Sequence, residues 1–83
     1  MRDLFIVGAG GFGREAVWTV ERINAAAPQP VWNVVGFADD DPAKASGNFE
    51  GYPLLGAAEK VSIQLADMLR IRMINTTQTY LVR

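Results

Sequence analysis

Apolar and polar positions along the chain follow two spacings, one typical of buried strands and one of amphipathic helices. Residues 4–8 form an uninterrupted apolar run, which predicts a strand buried on both faces of a parallel sheet. Apolar residues then recur at helical spacing, on a stripe made of Phe12, Ala16, Val20 and Ile23 with Val17 beside it. This stripe predicts a helix that ends near Asn24–Ala27, because Pro28 cannot continue it.

The rest of the chain shows shorter patterns. Residues 31–38 are rich in β-branched and aromatic side chains and predict a second strand, which completes a βαβ unit. Residues 44–51 are small and polar and predict a loop. Residues 51–56 predict a brief third strand, with Pro53 confined to an edge.

A second helix is predicted over residues 57–69, where Val61, Leu65 and Met68 recur at helical spacing. The alternation over residues 69–73 leaves a strand possible there, and residues 79–83 resemble the beginning of a strand. These elements predict an α/β fold with a small Rossmann-like open parallel sheet, in the order βαβ-β-α-β. Because the last strand-like run stops abruptly, we expect residues 1–83 to be one domain and an incomplete fragment of a larger protein.

Composition excludes several classes of function. A net charge of −1 offers no basic surface for nucleic acid or an anionic membrane, and no apolar run approaches the ~20 residues that a membrane helix needs. Without cysteine there is no disulfide, thiolate nucleophile or zinc cluster, and without histidine the commonest general base is missing. Acid–base catalysis within this chain would therefore need Asp, Glu, Lys or Tyr. We predict no metal site, and we expect a cytoplasmic location.

Between the first strand and the first helix lies the motif Gly8-x-Gly10-x-x-Gly13, with a further glycine at Gly11. A helix start leaves unpaired N–H groups with a partial positive charge, which favours a phosphate. The first glycine permits the bend, the second lets the main chain approach a diphosphate, and the third lets the helix pack on the strand. The motif therefore predicts a diphosphate site, with an ordinary turn that binds nothing as the alternative.

Three acids follow the second strand, at the same edge of the predicted sheet as the glycine turn. Asp41 precedes Pro42 and is predicted to cap a helix, which leaves Asp39 and Asp40 as candidate ligand contacts. An acid at this place accepts hydrogen bonds from ribose hydroxyls and repels a 2′-phosphate, which disfavours NADP. The alternative is that these acids are solvated loop residues.

Two side chains of the first helix lie on its polar side. The ring of Trp18 is predicted either to pack between Arg14 and Arg22 by cation–π contact or to anchor a partner. Arg14, in the first turn, is placed where it could also reach a bound phosphate, with an ordinary solvated arginine as the alternative.

Three segments resemble, in this order, the N-terminal domain of bacterial sugar O- and N-acyltransferases. That group includes the sialic acid O-acetyltransferases and the enzymes that acetylate UDP-4-amino-sugars. The segments are residues 5–15, 35–42 and 51–56, and the resemblance covers residues 2–56. In that family a small Rossmann-like domain holds the nucleotide-sugar acceptor, and a following left-handed β-helix of hexapeptide repeats binds acetyl-CoA and supplies the catalytic histidine.

The resemblance implies that the glycine turn contacts the diphosphate of a UDP-sugar and that Asp39 and Asp40 contact its nucleoside. Nothing catalytic carries over, because the sequence has no histidine and no hexapeptide repeat. The implied function is acceptor binding without a cofactor in this fragment, which by itself is expected to be inactive. The parent enzyme would use acetyl-CoA and form a homotrimer through its β-helix.

Two other functions fit the same residues. The chain could be the first half of an NAD-binding oxidoreductase domain, although Asp39 follows the glycines at more than the usual ~20 residues. It could also be a non-catalytic assembly unit that self-associates through an unfinished sheet edge.

Overall fold

The computed structural model describes residues 1–65 and 71–76 of the 83-residue chain, and for Leu65 the backbone alone. Its first half contains β1 (Arg2–Val7), α1 (Gly11–Ala26) and β2 (Trp32–Ala38). A 3-10 helix (Pro42–Lys44) follows, and then β3 (Asn48–Phe49), β4 (Tyr52–Pro53), α2 (Ala58–Leu65) and β5 (Arg72–Asn75). The predicted βαβ unit and second helix are confirmed. A strand also follows that helix, but β5 begins at Arg72 and shares only residues 72–73 with the strand left possible over 69–73.

The main sheet has the strand order β2-β1-β5, and both pairings are parallel. The chain leaves the central strand β1 for β2 on one side and later returns to β5 on the other side. The strand order therefore reverses between β1 and β5, and in open α/β sheets ligands bind outside the carboxyl ends of the strands at such a point. The α/β class and the open parallel sheet, consistent with a Rossmann-like fold, are confirmed.

Each face of the sheet buries its own apolar cluster. On one face Ile6, Phe37 and Val17 of α1 are fully buried together. On the other face Phe5, Val7, Ala38 and Val61 of α2 form the second cluster. A short parallel strand covered on both faces must be apolar at consecutive positions, and residues Leu4–Val7 are buried without interruption.

The apolar stripe predicted for α1 is partly wrong. Val17 and Val20 are buried with Gly13, but Phe12 is 63% exposed and Ile23 is 45% exposed. The central strand β1 has only six residues, so it covers only the middle of a helix of 16 residues. Phe12 lies at the first turn, beyond the end of β1, and it borders the cleft described below.

The predicted loop over residues 44–51 and the predicted third strand instead form a small antiparallel hairpin, β3–β4. Its two turn residues, Glu50 and Gly51, both have positive φ, as the tight turns that match the twist of a hairpin require. After the hairpin the chain meets the edge of β2 at a single parallel bridge between Leu54 and Phe37.

Gly36 is the residue of β2 that allows this close approach. It lies at a bulge in the β1–β2 pairing and has φ +154. A Cβ there would lie 2.6 Å from the carbonyl oxygen of Pro53 and 2.9 Å from Cγ of Leu55. A glycine inside a strand pattern often marks such a place, although this function of Gly36 was not predicted.

The prolines end α1 as predicted, and Asn24 joins that end to the next strand. Its amide nitrogen donates to the carbonyl of Trp32, and its Oδ1 accepts from the N–H groups of Val31 and Trp32. One side chain thereby satisfies three backbone groups between a helix end and a strand start.

Two predictions lie outside the described residues: the second helix beyond residue 65, as far as 69, and the strand over residues 79–83. Within the described ranges, no helix is long and apolar enough to cross a membrane.

Candidate functional site

The glycine turn lies directly at the carboxyl end of β1, where the strand order reverses. Gly8 has φ +103, a conformation that glycine adopts without strain, and its N–H donates to the carbonyl of Ala38 at 2.7 Å. Gly10 is the N-cap of α1 and offers no side chain to cap it. The N–H of Arg14 donates to the carbonyl of Gly10 and begins the series of helical hydrogen bonds. The N–H groups of residues 11–13 come before this series and have no acceptor within the helix.

The glycines of the motif differ in how much space surrounds them. A Cβ added to Gly13 would fall inside the contact distance of the carbonyl oxygen of Gly8, and it would also lie 3.4 Å from Cε2 of Phe37. At Gly10 and Gly11 a Cβ would meet nothing within 4 Å. Gly13 is therefore required by helix-to-strand packing, whereas Gly10 and Gly11 face open space.

That open space is a cleft of about 310 Å³ at the carboxyl edge of the sheet. Its lining consists of the glycine turn and three side chains from separate parts of the chain: Gly8, Ala9, Gly10, Gly11, Phe12, Gly13, Asp39, Lys44 and Thr76. The four predicted glycines and Asp39 are therefore brought together.

Asp39 holds the glycine turn in place through its carboxylate. Its Oδ2 accepts from the N–H of Ala9 at 2.7 Å, and its Oδ1 accepts from the N–H of Asp41 at 2.9 Å. Burial acts to raise the pKa of this carboxyl, but the two N–H groups and the nearby charge of Lys44 outweigh burial, so the pKa lies below its ordinary value. Asp39 is ionised at neutral pH and joins β2 to the turn.

Asp40 and Asp41 do not line the cleft, and each accepts a hydrogen bond from a backbone N–H elsewhere. The exposed carboxylate of Asp40 accepts from the N–H of Ala58 at 3.0 Å, at the start of α2, and Asp40 is not among the residues that line the cleft. Its predicted contact with a nucleoside stays a prediction. The carboxylate of Asp41 accepts from the N–H of Ala43 at 3.0 Å, which confirms it as the cap of the 3-10 helix.

Lys44 and Thr76 are cleft residues that sequence reasoning missed. Lys44 donates from Nζ to the carbonyl of Ala9 at 2.6 Å. Thr76 follows β5, and both its hydroxyl and its N–H donate to the carbonyl of Val7, at 2.7 and 2.9 Å. Thr76 could have been suspected because it comes directly after a strand of the parallel sheet, but no local pattern distinguishes Lys44 from any other loop lysine.

Arg14 and Trp18 lie outside the cleft and bind the hairpin. The Nε atom of Arg14 lies 2.9 Å from one carboxylate oxygen of Glu50, and Trp18 donates from Nε1 to the other oxygen at 3.0 Å. The reported cation–π contact of the described residues places Arg14 over the ring of Phe49, at 5.3 Å from its centroid, rather than over Trp18. The predicted sandwich of Trp18 between arginines is therefore wrong, and Arg14 is engaged by Glu50 instead of facing a phosphate.

The hairpin has a second polar attachment to α1, and it predicts a pH effect. Tyr52 donates from its hydroxyl to Glu21 at 2.7 Å. This hydrogen bond, burial and the charge of Glu21 raise the pKa of Tyr52 from 10.0 to about 12. Since the folded pKa is raised, the contact stabilises the fold fully below pH 10 and loses this effect as the pH rises through about 12.

We expect Tyr52 to ionise near pH 12 in a Tyr80→Phe variant, which retains Tyr52 as the sole tyrosine of the chain. The measurement is a titration followed by the ultraviolet absorbance of the phenolate, with circular dichroism recorded alongside. Adding Glu21→Gln should move the midpoint toward 10, and Glu15→Gln, an exposed site on the same helix, should leave it unchanged. Equal midpoints near 10 in all three proteins would contradict this assignment.

No cluster of acidic side chains suited to a metal ion occurs among residues 1–65 and 71–76. The cleft places the backbone amides at the start of α1 next to the ammonium of Lys44 and the carboxylate of Asp39, and amides at a helix start are suited to an anion.

Comparison with models of protein families gives a match over most of the chain. The family model described as the PglD N-terminal domain matches residues 3–73. A comparison with curated protein sequences finds no significant relative. The family match covers most of the chain and confirms the resemblance to the N-terminal domain of an acetyltransferase that acts on a nucleotide sugar. The chain belongs to the PglD N-terminal domain family.

Proposed function

We propose that this chain binds the diphosphate of a nucleotide sugar, with a UDP-sugar as the expected ligand, and presents it as the acceptor for an acetyl-CoA-dependent sugar acetyltransferase in the cytoplasm. The observation that carries the proposal is the glycine turn. Its leading amides are not part of the helical ladder, and it opens into a cleft at the point where the strand order reverses. Membership of an acetyltransferase domain family supports the choice of ligand class.

Each part of the cleft has a role in this proposal. The amides at the start of α1 would bind the phosphate oxygens, because they are donors at the positive end of a helix dipole. Gly10 and Gly11 would let these oxygens approach the main chain, since a Cβ at either position would project into open space. Asp39 would hold the turn through Ala9, and it keeps unused lone pairs for a ribose hydroxyl.

The proposal extends to the parent enzyme only through the family. Acetyl-CoA, the catalytic group and the trimer would all be supplied outside the described residues. In this chain we assign acceptor binding and no catalytic residue.

A direct test is a calorimetric or NMR titration of the chain with UDP-N-acetylglucosamine, with NAD titrated in parallel. We expect saturable binding of the UDP-sugar, with chemical-shift changes centred on residues 8–13 and weaker binding of NAD. If millimolar UDP-sugar produced no heat and no shift change, the proposal would be wrong. Preferential binding of NAD would favour the oxidoreductase alternative.

A substitution in the turn separates binding from folding. We expect Gly11→Ala to leave the free energy of unfolding unchanged or to raise it by about 0.5–1 kcal/mol, because alanine is a better helix residue than glycine. The same Cβ should lower affinity for the UDP-sugar about tenfold, because it enters the space that the phosphates need.

The matched control for this substitution is Ser62→Ala, at an exposed position of α2 remote from the cleft. It should also raise the stability of its helix slightly, without changing the affinity for the UDP-sugar. If Gly11→Ala bound the UDP-sugar as tightly as the wild type, the amides at this turn would not be the phosphate contacts.

A further inference from the structure

Lys44 is a half-buried cation at the cleft, and its ammonium is held there by a hydrogen bond to a distant part of the chain. It ends the 3-10 helix Pro42–Lys44, whose cap is supplied by Asp41. From there its side chain reaches 35 positions back along the sequence to the carbonyl of Ala9, at 2.6 Å. Loop lysines are mostly solvated, so an ammonium held against the glycine turn calls for an explanation.

The charges that line the cleft give this explanation. Among its described lining residues, Lys44 is the one cation and Asp39 is the one anion. The carboxylate of Asp39 already accepts two N–H groups, and its pKa is lowered, so it stays negative at neutral pH. A diphosphate entering beside an unbalanced carboxylate would be repelled. Lys44 removes that imbalance.

The ammonium of Lys44 also has donors to spare. Lysine carries three N–H donors, and the carbonyl of Ala9 uses one of them. The remaining two can bind phosphate oxygens without releasing the turn. An ammonium on a flexible stem is a common phosphate binder because it acts as a compact point charge.

We propose that Lys44 is the specificity-determining residue of this cleft, and that it selects a diphosphate-bearing ligand by binding a phosphate oxygen while it stays on the carbonyl of Ala9. The inference deepens the proposed function and rests on the same cleft. It predicts that Lys44 acts on the charged part of the ligand and leaves the binding of an uncharged nucleoside almost unchanged.

The test compares UDP, uridine and inorganic pyrophosphate on the full chain by calorimetry, with the variants Lys44→Gln and Lys44→Arg. We expect Lys44→Gln to weaken UDP and pyrophosphate about tenfold, since hydrogen bonds to charged groups are among the stronger ones, and to change uridine less than about twofold. Lys44→Arg should restore most of the UDP affinity. Raising the salt concentration should weaken UDP binding less in Lys44→Gln than in the wild type.

The matched control is Lys60→Gln, which removes an equal charge from an exposed position on α2 outside the cleft. It should bind all three ligands as the wild type does. Urea unfolding of each variant shows whether the turn is still folded, and Lys44→Arg provides the comparison if Lys44→Gln is less stable.

The outcomes separate the two proposals. If Lys44→Gln lowered the affinities for UDP and uridine by the same factor, Lys44 would only hold the turn in place. If it lowered neither affinity, Lys44 would take no part in binding. Either result would overturn this inference. If pyrophosphate bound in a Lys44-dependent manner but no UDP-sugar bound, the inference would stand and the proposed function would fail. Absence of binding by all of these ligands would overturn both.

Discussion

Replacing Gly13 by alanine is expected to destabilise the domain by about 3 kcal/mol or more, the upper end of what overpacking costs. The added Cβ would overlap the carbonyl oxygen of Gly8 and lie 3.0 Å from the carbonyl carbon. Both atoms belong to the backbone, so no side-chain rotation can relieve the overlap. Either α1 must move away from the sheet or the turn must open, and Val17, which α1 buries against Ile6 and Phe37 of the sheet, would lose contacts.

The measurement is urea denaturation at neutral pH, followed by circular dichroism. Gly11→Ala is the matched control, because it adds the same methyl group two residues earlier in the same helix, where nothing lies within 4 Å. A difference of several kcal/mol between the two variants is expected. If both unfolded at the same urea concentration, the close packing of α1 on the turn would not exist in solution.

The glycine turn and Asp39 could be predicted because their signals are local or follow from simple topology. Gly8, Gly10 and Gly13 stand at fixed spacing between a strand and a helix. Asp39 comes directly after the next parallel strand, and adjacent parallel strands end at the same edge of a sheet. Neither inference needs knowledge of any side-chain position.

Lys44 could not be predicted in the same way, and Thr76 could be suspected only by assuming that the strand before it lies beside β1. The importance of Lys44 comes from where the 3-10 helix ends relative to Ala9, which depends on the whole path from β2 to the hairpin. Thr76 reaches the cleft because β5 pairs with β1. Strand order is a property of the assembled sheet and leaves no trace in a window of a few residues.

Phe12 shows how periodicity misleads near the end of a helix. It has the correct spacing for the apolar stripe, yet it is mostly exposed because the sheet does not extend beneath the first turn. Periodicity reports the face on which a residue lies, and coverage of that face depends on how far the strands extend beneath the helix. An aromatic ring thereby borders the cleft instead of filling the core.

The hairpin contacts were equally beyond local reasoning. Glu50 binds Arg14 and Trp18 across more than 30 positions of sequence, and it does so from a turn residue with φ +53. Helical spacing suggested that Trp18 would interact with arginines on its own helix. The partner of Trp18 is instead Glu50, which belongs to the hairpin. Its carboxylate accepts from Arg14 and Trp18 together and so satisfies more hydrogen-bonding groups than a cation–π contact would.

Asp39→Ala is expected to lower the free energy of unfolding at neutral pH by about 3 kcal/mol. The carboxylate accepts from the N–H groups of Ala9 and Asp41, and hydrogen bonds to charged groups contribute about 1.5–3 kcal/mol each. Ala9 is fully buried, so its N–H would be left without that acceptor. Lys44 would also lose the nearby negative charge.

The pH dependence identifies the charge as the cause. Because the pKa of Asp39 is lowered by folding, its stabilising effect is complete above the ordinary value of 3.8 and disappears as the pH falls through the lower folded pKa. The difference in unfolding free energy between wild type and Asp39→Ala should therefore be large at pH 7 and should shrink steadily under strongly acidic conditions.

Asp41→Asn is the control for removing a nearby carboxylate, because Asp41 is exposed and asparagine caps a helix about as well as aspartate. It should change stability by less than about 0.5 kcal/mol. Asp39→Asn should fall between the two variants, since its amide oxygen can accept from one of the two N–H groups and its NH₂ group cannot accept from the other. If Asp39→Ala were as stable as Asp41→Asn at neutral pH, the turn would keep its shape without this carboxylate, and the amides at the start of α1 would position a phosphate without help from β2.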